Sequence, residues 1–156
     1  MEKKTQPALI GGLIVGVLSA LPIISAGNLC CCLWIVGGGV VAAYILQQNQ
    51  AAPITPADGA VIGGLAGLVG AFVYLILSIP ITMLVAPFER VLYERVIENA
   101  GPGFRDYVGT YAGAGLRLTL GFIFMLCFGS IFSTIGGVLG AVIFKKKLPS
   151  ALSPQP

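Results

Sequence analysis

Four cysteines are the residues of this chain best suited to chemistry. Cys30, Cys31 and Cys32 stand side by side, and Cys127 lies far along the sequence. Four thiolates are a complete ligand set for a tetrahedral zinc ion or an iron–sulfur cluster. Helical geometry argues against that use. Successive helical residues point about 100° apart, so three adjacent thiols fan over about 200° and cannot converge on one ion. Cys127 falls roughly 17 Å into the last apolar span at the helical rise, while the triplet falls near a membrane surface. Other readings of the triplet are an intermolecular disulfide on an oxidising face and S-acylation near the membrane. The plainest is that the cysteines act as small apolar packing residues.

Other chemistry has little to build on. The chain has no histidine, which removes the commonest proton shuttle and metal ligand. No Ser/His/Asp or Cys/His arrangement can be assembled. Glu89, Glu94, Glu98 and Asp106 share one segment with Arg90, Arg95 and Arg105, where ion pairing is the simplest reading. The glycine-rich run from Gly63 to Gly70 lacks the Lys-Ser/Thr of a phosphate-binding loop. The expectation is a protein that is not an enzyme, with no catalytic, cofactor-binding or metal-binding residues and no nucleic-acid partner.

The elements that would position these residues are apolar. Of 156 residues, 56% are hydrophobic and 10% charged, and mean hydropathy is +0.94. Soluble domains carry about 25% charged residues, so this composition cannot cover a water-facing surface. It predicts an all-α, polytopic membrane protein in a single membrane domain. Four stretches approach or exceed the length needed to cross a bilayer: residues 7–26, 29–46, 59–86 and 116–144. Pro22 and Pro80 are expected kinks, and Pro87 is expected to close the third span. The first span is read as a retained helix, since its charged start and Ser25-Ala26-Gly27 mimic a secretion signal without a convincing lipoprotein cysteine.

The connections follow from their composition. Gly27-Asn28 predicts a tight turn that makes spans one and two an antiparallel hairpin. Residues 47–58 form a polar, proline-bearing loop, with Asp58 expected as the helix N-cap of span three. Residues 88–99 place Phe88, Leu92, Val96, Tyr93 and Ile97 on one half of a helix and the charges mostly on the other. That pattern favours a separate amphipathic helix at the membrane surface, inside an interfacial segment covering residues 88–114, the alternative being that it continues the third helix into water. Gly101-Pro102-Gly103 turns the chain there, and Tyr107 and Tyr111 suit the headgroup level. Lys3, Lys4 and Lys145 to Lys147 flank the spans, which places both termini in the cytoplasm of an inner or plasma membrane. Arg90, Arg95 and Arg105 on the opposite side narrow that margin.

Glycine supplies the most regular pattern. The chain has 22 glycines. Gly12 and Gly16, Gly63 and Gly67, and Gly136 and Gly140 are each four residues apart, and span two adds Gly37-Gly38-Gly39. Four-residue spacing makes a flat strip on a helix, where another backbone can approach closely. The expected helix-packing residues of this glycine zipper are Gly12, Gly16, Gly37, Gly63, Gly67, Gly136 and Gly140. Ser130, Ser133 and Thr134 form the densest polar patch within a span and are the expected interhelical polar contact. A weak echo relates Ala8–Leu13 to Ala60–Leu65, with a third Ile-Gly-Gly at Ile135-Gly136-Gly137. Taken together, these features predict a structural or accessory subunit packed against other membrane helices in a larger, energy-converting or transport complex. The alternative is a small homo-oligomeric transporter or channel.

Overall fold

A computed structural model describes residues 2–21, 24–29, 32–98 and 114–146. The described residues are helical with connecting turns and include no strand. Helix α1 spans Glu2–Ala20, a 3-10 helix spans Ile24–Leu29, α2 spans Leu33–Gln48 and α3 spans Pro56–Glu98. Helix α4 (Ala114–Phe124) continues through a π-helical turn (Met125–Gly129) into α5 (Ser130–Ile143). Two helical stretches, Pro56–Val85 and Leu118–Ile143, are long and apolar enough to cross a membrane. Lys4–Ala20 and Leu33–Gln48 are apolar but shorter.

The helices close into a ring in the order α1, α3, α5, α2, and α2 also touches α3 across it. Register shows the directions. Lys4 meets Asp58 at one end of α1 and α3, and Gly16 lies against Val73 farther along, so these two run parallel. Gly59 meets Gly137 and Ala141 while Gly67 meets Gly129 and Ser130, so α3 and α5 run antiparallel. The core mixes alanines with a few large aliphatic side chains. Ala8, Ala42, Ala43, Leu46, Ile54, Ile62, Ala66 and Ala141 form one cluster. Val15, Ile35, Ala71 and Met125 form another, with Cys32 and Tyr74 packed beside it. Alanine and glycine at these positions bring backbones together where lipid supplies no hydrophobic driving force.

Three local features depart from the sequence reading. Helix α3 passes through both Pro80 and Pro87 and ends at Glu98, so residues 88–98 continue α3 instead of starting a separate helix. Proline removes one helical hydrogen bond and crowds the preceding turn, but a long helix retains the bonds on either side. The link between α1 and α2 is wider than a two-residue turn. It carries the 3-10 helix and a left-handed residue, Cys32 (φ 53°, ψ 40°), before α2 begins at Leu33. Asp58 is not the N-cap of α3. The Asp58 N–H donates to Thr55 Oγ1 (3.1 Å), and the Thr55 N–H donates to Asp58 Oδ2 (3.3 Å). This is a reciprocal capping box with Thr55 at the cap and Asp58 three residues on. Pro22, Cys30, Cys31, Lys147 and the turn and tyrosines proposed between residues 101 and 113 lie outside the described residues.

Candidate functional site

The site that the sequence builds most fully is the set of seams where glycines bring helices into backbone contact. On α1, a Cβ at Gly12 would stand 2.6 Å from Val69 Cβ and 2.8 Å from the Ala66 carbonyl oxygen. A Cβ at Gly16 would stand 2.5 Å from Val73 Cβ and 2.8 Å from the Gly70 carbonyl oxygen. Cβ contacts this close do not occur in relaxed structures, so the α1–α3 seam admits no side chain at either position. Gly11, one residue before Gly12 and 100° around the helix, faces Ala42 and the Gly38 carbonyl oxygen on α2 instead. Adjacent glycines thus serve two different neighbours.

The Ile135-Gly136-Gly137 segment repeats this arrangement on α5. Gly136 rests on the Val36 backbone of α2, while Gly137 rests on the Gly59 carbonyl and Gly63 of α3. Gly140 continues the α2 seam, 2.9 Å from the Val40 carbonyl oxygen by the same measure. Along α3, Gly63 lies against the Ser133 carbonyl and Gly137, and Gly67 lies against Ser130 Cα (2.7 Å) and the Gly129 carbonyl oxygen (2.8 Å). Gly37 differs: a Cβ there would meet nothing within 4 Å. Within the triple glycine, the contacts fall to Gly38, against Val15 and the Gly11 carbonyl, and to Gly39, against Ser133 and Gly137.

The polar patch on α5 divides in two. Ser130 Oγ donates to the Leu126 carbonyl (2.6 Å) and Thr134 Oγ1 donates to the Ser130 carbonyl (2.6 Å), so both hydroxyls return to their own helix. Ser133 is fully buried and its Oγ has no hydrogen-bond partner among the described residues. Its backbone carbonyl is the surface on which Gly39 and Gly63 close. The hydroxyl therefore sits where α2, α3 and α5 meet.

One end of the bundle is polar. Lys4 Nζ pairs with Asp58 Oδ1 at 2.8 Å, and Lys146 Nζ donates to the Gln50 carbonyl at 3.0 Å. Gln47, which sequence reasoning passed over as a loop residue, is buried at the end of α2. Its Nε2 donates to the Ala52 carbonyl (3.1 Å) and its Oε1 accepts the Ile54 N–H (2.9 Å), so one side chain ties down two points of the α2–α3 connection. A glutamine closing an apolar run just before a proline-bearing loop is the trace of this role in the sequence. At the other end, Trp34 Nε1 donates to the Ile24 carbonyl (2.8 Å) and covers Gly27. Cys32 and Cys127 are free thiols. No group of three or more His, Cys, Asp or Glu side chains placed to hold a metal occurs among the described residues.

These helices fall within one family pattern. The model of the MJ1491 transmembrane domain matches residues 5–147. The chain belongs to the MJ1491 transmembrane domain family. No curated protein and no solved structure matches it. The chain is an integral membrane protein, and its outward residues agree with that environment. Leu13, Ile76, Met83, Leu84, Val142 and Ile143 are all more than half exposed. In a bilayer such side chains meet lipid tails at no cost, whereas in water each would leave apolar surface exposed.

Proposed function

We propose that the chain is a non-enzymatic accessory subunit that crosses the membrane four times, with both termini cytoplasmic, and packs against other membrane subunits in a larger complex. The observation that carries this reading is where the glycines go. The strips on α1, α3 and α5 are used within the chain, each against a neighbouring helix, so the bundle is held by backbone contact with little side-chain volume to rearrange. A tightly packed interior of this kind suits a scaffold. Helix α3 continues through residues 86–98 beyond the apolar stretch ending at Val85. Those residues carry Arg90, Glu94, Arg95 and Glu98, a charge pattern suited to ionic contact with another subunit.

Purification of the tagged chain from native membranes in mild detergent, followed by mass spectrometry, tests this reading. A stoichiometric partner is expected, and it should be lost when Arg90 and Arg95 are both changed to Glu. Recovery of the chain alone, or as a homo-oligomer that conducts solute in liposomes, would overturn it.

A further inference from the structure

The four apolar helices end together on one side of the bundle. Lys4 opens the α1 stretch, Gln48 closes α2, Pro56 opens the long stretch of α3 and Ile143 closes that of α5. Contacts join these ends: Lys4 pairs with Asp58, Lys146 donates to the Gln50 carbonyl, and Gly59 lies against Ala141. The apolar surface of all four helices therefore stops at one level, where the polar layer of a bilayer begins.

Charge at this level is unbalanced. Lys3 and Lys4 at the start of α1, with Lys145, Lys146 and Lys147 after α5, are opposed by two carboxylates, Glu2 and Asp58. Asp58 has both oxygens engaged, Oδ1 by Lys4 and Oδ2 by Thr55. Lys146 gives one N–H to a neutral carbonyl, and neither Lys145 nor Lys146 forms an ion pair among the described residues. Lys145 is exposed. At the opposite end of α3, Arg90 and Arg95 are interleaved with Glu89, Glu94 and Glu98, so the positive excess belongs to the lysine end.

Helices α2 and α5 carry the place closest to Lys145. They run parallel and in step: Gly136 rests on Val36, Gly140 on Val40, and Phe144 meets Tyr44 edge-on with ring centroids 4.9 Å apart. The last rung of this seam is a pair of exposed rings where the earlier rungs are glycine contacts. Aromatic rings at a membrane boundary suit the glycerol region of a lipid. Lys145 follows Phe144 directly, at the height of the phosphate.

We propose that this corner of α2 and α5 binds a phospholipid of net negative charge. Lys145 and Lys146 are the counter-ions of its phosphate, and Tyr44 and Phe144 flank its glycerol and upper acyl chains. A zwitterionic phospholipid carries its own cation and gains less from the lysines. This binding does not depend on the accessory role proposed above.

The test places the full chain in nanodiscs of equal parts phosphatidylglycerol and phosphatidylcholine, releases it in mild detergent and reads the retained lipid by native mass spectrometry. One lysine near the surface favours an anionic lipid by about fivefold, so two predict a preference for phosphatidylglycerol of roughly 25-fold. Lys145→Gln should lower that preference about fivefold, and Lys145→Arg should keep it. Lys145→Gln with Lys146→Gln should bring the two lipids near equality. Arg90→Gln with Arg95→Gln should leave the preference unchanged. Equal retention of both lipids by the parent, a preference that survives the double lysine change, or an equal loss on the arginine changes overturns the proposal. Displacement of phosphatidylglycerol by inorganic phosphate, but not by sodium chloride of the same ionic strength, also overturns it by assigning the lysines to free phosphate. If the double variant does not purify, Lys145→Gln alone decides, and an undiminished preference in it is equally fatal.

Discussion

Gly63 on α3 and Gly137 on α5 pack backbone to backbone: a Cβ built on Gly63 would stand 3.0 Å from Gly137 Cα. The same seam includes Gly137 against the Gly59 carbonyl, and on the far side of α5 Gly136 rests on α2, so moving α5 away from α3 presses it into α2. A β-branched side chain at Gly63 must therefore separate α3 from α5. Overpacking of a close core costs about 1–3 kcal/mol per site, and at a backbone contact the upper end is expected. Gly63→Val should lower the detergent melting temperature and broaden the size-exclusion peak. Gly67→Ile, which drives a larger side chain into Ser130 and Gly129, should do the same more severely. An unchanged melt for both variants would show that the seam tolerates expansion.

Gly37 provides the opposite case. Nothing lies within 4 Å of its added Cβ, and alanine is the better helix former by roughly 1 kcal/mol. Gly37→Ala should leave the melt unchanged or raise it slightly. A loss comparable to that of Gly63→Val would mean that a partner occupies this face in the purified protein.

The contrast between these glycines shows what sequence can convey. Four-residue spacing identifies a helix face, because residues four apart lie one above the other. It does not identify the neighbour, since every strip of small residues looks alike. In Gly37-Gly38-Gly39 the three positions span about 200°, so the pattern cannot say which of them meets a helix. Pro87 misled for a different reason. Proline weakens a helix locally, but whether the chain resumes depends on bonds on both sides of it, and α3 resumes. The Thr55–Asp58 exchange was obscured because Asp58 is the last acidic residue before the apolar run, and single-residue preference does not separate the cap from the third helical position.

The capping box and the ion pair at the polar end should separate on mutation. Thr55→Val removes the cap that satisfies the Asp58 N–H, at a cost of about 1 kcal/mol. Lys4→Gln breaks the pair with Asp58, but these side chains are 41% and 33% exposed. A half-exposed pair contributes about 0–1 kcal/mol and is screened by salt. The Thr55→Val loss should persist in high salt, and any Lys4→Gln loss should fade. Melting curves at low and high ionic strength check both.

Gln47 should be among the more sensitive polar positions. Gln47→Leu keeps volume but strands the buried Ile54 N–H and frees the Ala52 carbonyl. An unsatisfied buried group costs about 1–3 kcal/mol. Gln47→Glu keeps the acceptor for Ile54 and, while protonated, offers its O–H to the Ala52 carbonyl, whereas ionisation removes that donor and buries a charge, so it should be milder at low pH. Limited proteolysis within residues 49–55 reads the local effect, with cleavage expected to rise in Gln47→Leu first.

Ser133 inverts the usual expectation for a buried polar residue. Its hydroxyl is enclosed and unpartnered among the described residues, so removing it abolishes an uncompensated desolvation and no bond. Ser133→Ala should match or exceed the parent in thermal stability. Ser133→Leu should fail, because the residue is fully buried where Gly39 and Gly63 close on its backbone. A destabilised Ser133→Ala would reveal a partner for the hydroxyl, such as a bound water.

Cys32 gives the sharpest test of what the cysteine triplet does. It is the non-glycine residue found with positive φ among those described, and its left-handed conformation joins the 3-10 helix to α2. For a residue with a Cβ that conformation costs roughly 1 kcal/mol or more. The thiol packs beside Val15, Ile35, Ala71 and Met125, and burial of so small a side chain offsets only part of the strain. Cys32→Gly should therefore be neutral or stabilising, while Cys32→Val, β-branched in the same backbone, should destabilise. If the thiol served a disulfide or an acyl chain, Cys32→Gly and Cys32→Ala would instead lose that modification together, visible as a mass shift in the intact protein. Stability that follows backbone preference with no change in modification identifies Cys32 as a hinge between two helices, placed where the chain must turn.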